Sequence, residues 1–309
     1  MNKLLLDKAK GMLVGLAAGD AVGTTVEFKM RGSFPPVTDM TGGGPFNLAK
    51  GKWTDDTSMA LCLADSLLAC SGFDATDQMQ RYCRWYKEGY MSSTGRCFDI
   101  GGTTADALNR FSVTGDPFAG STDPRSAGNG SVMRLAPVAI TYQHDRDALL
   151  QFAADSSRTT HGCDEAVESC RLFAVQLALA MQGKDKTTIL TGHGYNSPAE
   201  KVERIGRGEY LDKGYNQLSG SGYVINTLET ALWCFAHTNN FRDAILMTVN
   251  VGDDADTTAA VCGQIAGAFY GYEGIPAEWR AALYMEKEIT EQAGKLLEIA
   301  NIKECEDVD

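Results

Sequence analysis

Two short acidic runs carry the residues best suited to chemistry. Trp53-Thr54-Asp55-Asp56-Thr57 and Gly252-Asp253-Asp254-Ala255-Asp256-Thr257 each stand directly before an apolar, helix-forming stretch. One carboxylate or hydroxyl at a helix start is ordinary capping and dipole chemistry. Here two and three carboxylates crowd within a few residues of Thr, and like charges so close destabilise one another unless a cation neutralises them. The donors are hard oxygens with no His or Cys among them, which suits Mg²⁺, Mn²⁺ or Ca²⁺ better than Zn²⁺. If the fold brings the runs together, five carboxylates can surround one or two metal ions.

Other metal and phosphate motifs fit poorly. The runs lack the glycine and the distal glutamate of an EF-hand loop. Asp254-Ala255-Asp256-Thr257-Thr258 has the look of a haloacid dehalogenase phosphatase motif, but no parallel-strand pattern surrounds it. Two glycine-rich segments are better placed to meet a phosphate. Ala127-Gly128-Asn129-Gly130-Ser131-Val132-Met133-Arg134 leads from a turn into an apolar stretch, and Cys97-Phe98-Asp99-Ile100-Gly101-Gly102-Thr103-Thr104 sets Asp99 ahead of two glycines. Bare backbone beside a helix start exposes N–H donors to an anion. His161 follows Thr159-Thr160 just before a long helical stretch, where it serves as a cap or as a ligand contact. No Ser-His-Asp or Cys-His arrangement stands out, so covalent catalysis has little support.

The elements that must position these residues read as helices almost throughout. Stretches 57–69, 164–181, 223–236 and 256–270 are long, Ala/Leu-rich and poor in β-branched runs. Glycines recur every fourth residue at Gly11, Gly15, Gly19 and Gly23, and again at Gly263, Gly267 and Gly271, baring one helix face for close packing. Asp20 interrupts the first of these runs, which argues against a membrane-dimer reading of the spacing. Residues 183–222 form a long polar, glycine-punctuated interval, expected to be a functional loop or several short helices. There is no evident linker or repeat, so the expectation is one all-α, compact multi-helix domain over 1–303 with an acidic tail over 304–309.

Composition narrows the class. A net charge of −12, with Lys and Arg scattered along the 309 residues, argues against a nucleic-acid partner. The nine cysteines include no Cys-x-x-Cys pair and read as reduced core residues. No eighteen apolar residues run together, and Asp7, Lys8 and Lys10 break the N-terminal apolar residues as no secretory signal would. A cytoplasmic monomer without membrane contact is expected.

Taken in order, GMLVGLAAGDAVGTTVEF, WTDDTSMAL, FDIGGTT, AGNGSVMR, TTHGCDEAV, GYVINTLETALW and GDDADTTAAVCGQIAGAFYG resemble the landmarks of the ADP-ribosylglycohydrolases, over nearly the whole chain. That family includes the bacterial dinitrogenase reductase-activating glycohydrolases. The resemblance implies an all-α fold and two Mg²⁺ or Mn²⁺ ions in a cleft, held by Thr54, Asp55, Asp56, Asp254, Asp256 and Thr257, with Asp253 outside the set. It implies catalytic roles for Glu27, beside the metals, and for Asp99, the aspartate of the arginine-directed branch. Gly128, Asn129, Gly130, Ser131 and His161 would hold the diphosphate and ribose, with Gly101 and Ser126 also at the substrate and Tyr223 near the adenosine.

The resemblance implies an ADP-ribosylated protein as substrate and ADP-ribose as product. A carboxylate at Asp99 suits a cationic guanidinium leaving group, so arginine is the preferred linkage. Asp123-Pro124-Arg125-Ser126 departs from the acidic segment of the nitrogenase-regulating enzymes, which leaves the target open. Hydrolysis of a serine or O-acetyl linkage, and a regulatory or immunity module that binds ADP-ribose or blocks a transferase, are the competing readings.

Overall fold

The glycine-spaced helices pack on each other. Each bare position on the first helix, α1 (Lys3–Gly23), faces the helix Ala255–Tyr270: Gly11 against Gly267, Gly15 against Gly263, Gly19 against Ala259, and Gly23 against Asp256. The register is antiparallel and unbroken. A Cβ at Gly267 would sit 1.9 Å from the Gly11 carbonyl oxygen, and one at Gly263 2.0 Å from that of Gly15. No other residue permits so close an approach of backbone to backbone. The C-terminal end of α1, with Asp20 and the turn leading to Glu27, thereby lies at the start of the partner helix, where Asp256 sits.

The computed structural model describes residues 2–306, with side chains described through residue 300. The helices that follow α1 are α2 (Asp55–Ala69), α3 (Ala75–Glu88), α4 (Gly102–Thr114), α5 (Ala136–Tyr142), α6 (Arg146–Arg158) and α7 (Asp164–Met181). Then come α8 (Lys186–Leu190), α9 (Glu200–Gly206), α10 (Val224–Ala236), α11 (Phe241–Val249), α12 (Ala255–Tyr270), α13 (Ala277–Ala282) and α14 (Glu286–Glu306). The fold is all-α. Extended pairing among the described residues is limited to isolated bridges, three of which tie loops at the cleft: Lys29 with Asp253, Gly128 with Tyr223, and Ser121 with His161.

The interval 183–222 contains α8, α9 and a 3-10 turn at Tyr215–Gln217, the several short helices foreseen. The final helix runs to Glu306, into the segment expected as an acidic tail, of which 307–309 lie outside the described residues. One continuous core of buried side chains spans α1 through α14, with Trp53, Trp85 and Trp279 among its largest members. No helix among the described residues is long and apolar enough to cross a membrane.

A buried lysine and a half-buried one close helix ends against this core. Lys8 donates to the carbonyls of Ala180 (2.9 Å), Ala268 (3.2 Å) and Phe269 (3.2 Å), in the last turns of α7 and α12. Lys186 does the same at the end of α10 through Phe235 and Thr238. A cation there meets the negative end of the helix dipole and orphan carbonyls together.

Candidate active site

Some helix starts are capped by their own side chains and others are not. α3, α6, α8 and α11 are capped by their own Asp74, Asp145, Asp185 and Asn240 side chains. α2, α4, α10 and α12, whose first turns converge on one cleft, have no such bond from their own N-cap residue. Their N–H donors and positive dipole ends face the gathered carboxylates and the cleft.

Asp20 of α1 takes the capping role for α2. Its Oδ1 accepts from Thr54 N (2.9 Å) and Thr54 Oγ1 (3.0 Å), and its Oδ2 from Thr57 N (3.1 Å) and Thr57 Oγ1 (2.6 Å). With a cap supplied from another helix, α2 begins at Asp55, two residues before the start expected from sequence, and both carboxylates lie in its first turn. Asp256 likewise falls inside the first turn of α12.

The two acidic runs do meet. Thr54 Oγ1 stands 3.2 Å from Asp56 Oδ2 and 3.3 Å from Asp256 Oδ2, and Thr257 Oγ1 is 3.3 Å from Asp56 Oδ2. Oxygens of Asp20, Asp56 and Asp256 lie within 4.8 Å of one another, as do those of Glu27, Asp99 and Asp256, so Asp256 belongs to both groups. Asp254 accepts from Asn129 Nδ2 at 2.7 Å, and Asn129 also donates to Thr227 (2.9 Å). Asp253 serves the backbone instead. It accepts from Phe28 N (2.7 Å) and donates to Lys29 O (2.8 Å), pinning the segment after Glu27 to the α12 loop.

Electrostatics show the strain of this gathering. Burial first, then the neighbouring carboxylates, push Asp55, Asp56 and Asp256 well above the usual carboxylate range. Burial and the charge of Asp99 raise Glu27 to about 9, burial raises Asp99 to about 7, and burial raises Asp20 to about 6 against the lowering effect of its four hydrogen bonds. Glu27 Oε2 and Asp56 Oδ1 are buried with no hydrogen-bond partner. Orphaned acceptors among raised carboxylates are what a hard cation would satisfy, so these residues fit a divalent metal. Asp20, with both oxygens already engaged twice, orients Thr54 and Thr57.

Above the carboxylates opens a cleft of about 330 Å³ lined by Glu27, Asp55, Asp99, Asp254 and Thr257. Gly101, Gly128, Asn129, Gly130 and His161 line it as well. His161 is buried, and that burial lowers its pKa to about 3, so the ring is neutral. Its Nδ1 lies 2.8 Å from Thr160 Oγ1, which accepts from the buried Arg134 guanidinium at 2.7 Å. Arginine has only donors, so the Thr160 hydroxyl keeps its own proton for Nδ1, and His161 carries its proton on Nε2. The ring packs on the glycines: a Cβ on Gly130 would come within 2.8 Å of His161 Cε1, and one on Gly128 within 3.2 Å of Nε2.

An adjoining groove carries the cleft outward past Ser126, Gly128 and Tyr223. There the Tyr223 hydroxyl bonds Glu165 and accepts from Lys201 at 2.8 Å. Among the residues expected at the substrate, Ser131 stands apart. It is buried, its hydroxyl accepts from Ser157 at 2.9 Å, and it does not line the cleft. Sequence reasoning missed Asp20 as part of the site. Its signal was a charged residue in a run of small apolar neighbours, a position that burial makes costly unless partners wait for it.

This all-helical frame around a carboxylate-floored cleft is that of the ADP-ribosylglycohydrolases, and the chain belongs to that family, whose sequence profile matches residues 1–304. It is 48% identical over 300 residues to the ADP-ribosylarginine hydrolase Tri1 of Pseudomonas putida (strain GB-1), covering 96% of this chain and 79% of that protein. It is 34% identical over 305 residues to the ADP-ribosyl-[dinitrogen reductase] glycohydrolase of Rhodospirillum rubrum, covering 96% of this chain and 97% of that one. A solved structure described as an ADP-ribosylglycohydrolase-related protein complex superposes with a TM-score of 0.86 at 41% identity, covering 97% of this chain and all of that one.

Proposed function

We propose that the protein hydrolyses the N-glycosidic bond between ADP-ribose and an arginine side chain, reversing mono-ADP-ribosylation and releasing ADP-ribose. The observation that carries this reading is the convergence of two acidic helix starts, with orphaned carboxylate oxygens, beneath a glycine-walled cleft. The likeness to the P. putida ADP-ribosylarginine hydrolase supports the arginine linkage.

In this reading Thr54, Asp55, Asp56, Asp254, Asp256 and Thr257 hold two divalent ions, Mg²⁺ or Mn²⁺, with Asp256 shared. The close approach of Asp56 and Asp256 oxygens across the two acidic runs supports a cation between them. Bound there, the ions would supply positive charge that neutralises the carboxylates, orients ribose hydroxyls and acidifies water. Gly101, Gly128 and Gly130 offer bare backbone, and His161 offers its Nε2 proton, to the diphosphate and ribose, while Asn129 steadies Asp254. Ser126 and Tyr223 line the groove toward the adenosine, and Ser131 acts through the loop it anchors.

Asp99 meets the guanidinium, whose cationic N–H groups a carboxylate accepts well. Bound cations beside Glu27 would favour its ionised form, and as a carboxylate it takes a proton from the attacking water. That proton ends on the departing guanidine nitrogen, so the carboxylate is restored. The domain spans 1–303 in this reading, acts as a monomer, and works in the cytoplasm, where the cysteines among the described residues remain free.

The test is incubation with ADP-ribosyl-arginine and ADP-ribosyl-serine peptides, with Mg²⁺ and with chelator. Release of ADP-ribose from the arginine peptide only with metal is expected. Binding of ADP-ribose without release from either peptide would make the protein a recognition module.

A further inference from the structure

Glu27 is followed by a residue that the fold holds at a cost on two counts. Phe28 has a φ of 62°, a left-handed conformation that bulky side chains rarely adopt, and it is 66% exposed. The backbone bonds between Phe28 N and Asp253 O (2.7 Å) and between Asp253 N and Lys29 O (2.8 Å) enforce that conformation. The strain points the chain so that Phe28 lines the cleft alongside Glu27, Asp55 and Asp99.

Two more rings stand in line with it. Phe46 lies edge-on to Phe28 with centroids 6.3 Å apart, and Phe98, which immediately precedes Asp99, lies 5.1 Å from Phe46. The cleft edge therefore joins an aromatic row to a pair of carboxylates, and no Lys or Arg is among the described residues lining it. Ring faces and carboxylates both attract cations. A planar, weakly hydrated, delocalised cation matches this edge better than an ammonium, because it can stack on a ring while its edge donates to a carboxylate.

We infer that Phe28, backed by Phe46 and Phe98, is the wall on which the guanidinium of an ADP-ribosylated arginine stacks while Asp99 receives its N–H groups. The inference rests on the arginine-hydrolase reading above and adds to it a specificity-determining surface. Phe28 buries little against the core, so replacing it removes a face without opening a cavity.

The experiment compares wild type, Phe28→Leu, Phe28→Asn and Phe28→Trp. Leu keeps apolar bulk without a ring, Asn tolerates the left-handed backbone, and Trp keeps a face. Turnover of ADP-ribosyl-arginine with Mg²⁺ is read beside calorimetric titration with free ADP-ribose, which has no guanidinium. Phe28→Leu and Phe28→Asn are expected to lose about 5- to 30-fold in kcat/KM, the equivalent of about 1–2 kcal/mol for a cation over a partly desolvated ring. Their ADP-ribose affinity should stay within about twofold, and Phe28→Trp should retain most of the turnover. Wild-type turnover with unimpaired Leu and Asn variants overturns the stacking role alone, as do equal losses in turnover and ADP-ribose affinity. A wild type that binds ADP-ribose yet releases none from ADP-ribosyl-arginine overturns the hydrolase reading and the inference with it.

Discussion

Replacing Asp20 by Asn tests whether the cleft is assembled by a cap borrowed from another helix. The side chain is fully buried and accepts four hydrogen bonds, two on each oxygen. In Asn one oxygen becomes an NH₂, which meets donors instead of acceptors. If the amide nitrogen faces Thr57, the Thr57 hydroxyl can rotate to accept from it, but the Thr57 backbone N–H has no such freedom and is orphaned. A buried donor left unsatisfied costs about 1–3 kcal/mol. For a chain of this size that lowers Tm by roughly 1.5–5 °C. Thr54 loses its charge-assisted anchor as well, so the half-saturating Mg²⁺ concentration for turnover should rise several-fold. Thermal denaturation in chelator and a Mg²⁺ titration of activity read the two effects separately. An Asn variant with wild-type Tm and wild-type Mg²⁺ dependence would refute the reasoning.

Three further outcomes follow from the same geometry. Asp256→Asn should abolish turnover, remove the Mg²⁺ dependence of Tm, and raise Tm in chelator, because it takes one charge from a repelling cluster; a lower Tm in chelator would contradict it. In chelator, stability should fall as pH rises from about 4 through about 9. Folded-state values of about 6 for Asp20, about 7 for Asp99 and about 9 for Glu27 all lie above their unfolded values, so their contribution is complete at low pH and lost through this window. Saturating Mg²⁺ should flatten the profile, and denaturation curves across pH with and without metal check both. Gly130→Ala should weaken ADP-ribose binding about tenfold by calorimetry, since its Cβ meets His161 at 2.8 Å.

The local chemistry was open to reading from sequence, and the pairings between distant segments were not. Helix α7 falls at 164–181 as periodicity indicates, and the acidic runs announce both helix starts and crowding. Asp20 escaped because its partners, Thr54 and Thr57, lie on another helix, and nothing in a one-dimensional pattern says which residue caps which. The same limit hid the clamp between Phe28 and Asp253 and the turning of Ser131 onto Ser157. The glycine runs announced close packing, while their pairing with each other depends on a register that only tertiary contact defines.

That register has a consequence in time. The seam joins Gly11 to Gly267 and Gly23 to Asp256, so it closes a loop of nearly the whole chain. During synthesis, α1 and α2 leave the ribosome long before α12 exists. Until then Asp20 can cap α2, but Asp256, common to both carboxylate groups, is missing. Closure of so long a loop adds little entropy beyond that of a shorter one, yet it makes the contact late and non-local. A nascent chain stalled before α12 should therefore expose the bare glycine face of α1 to chaperones and bind no metal, and catalytic competence should arrive in one step when α12 emerges.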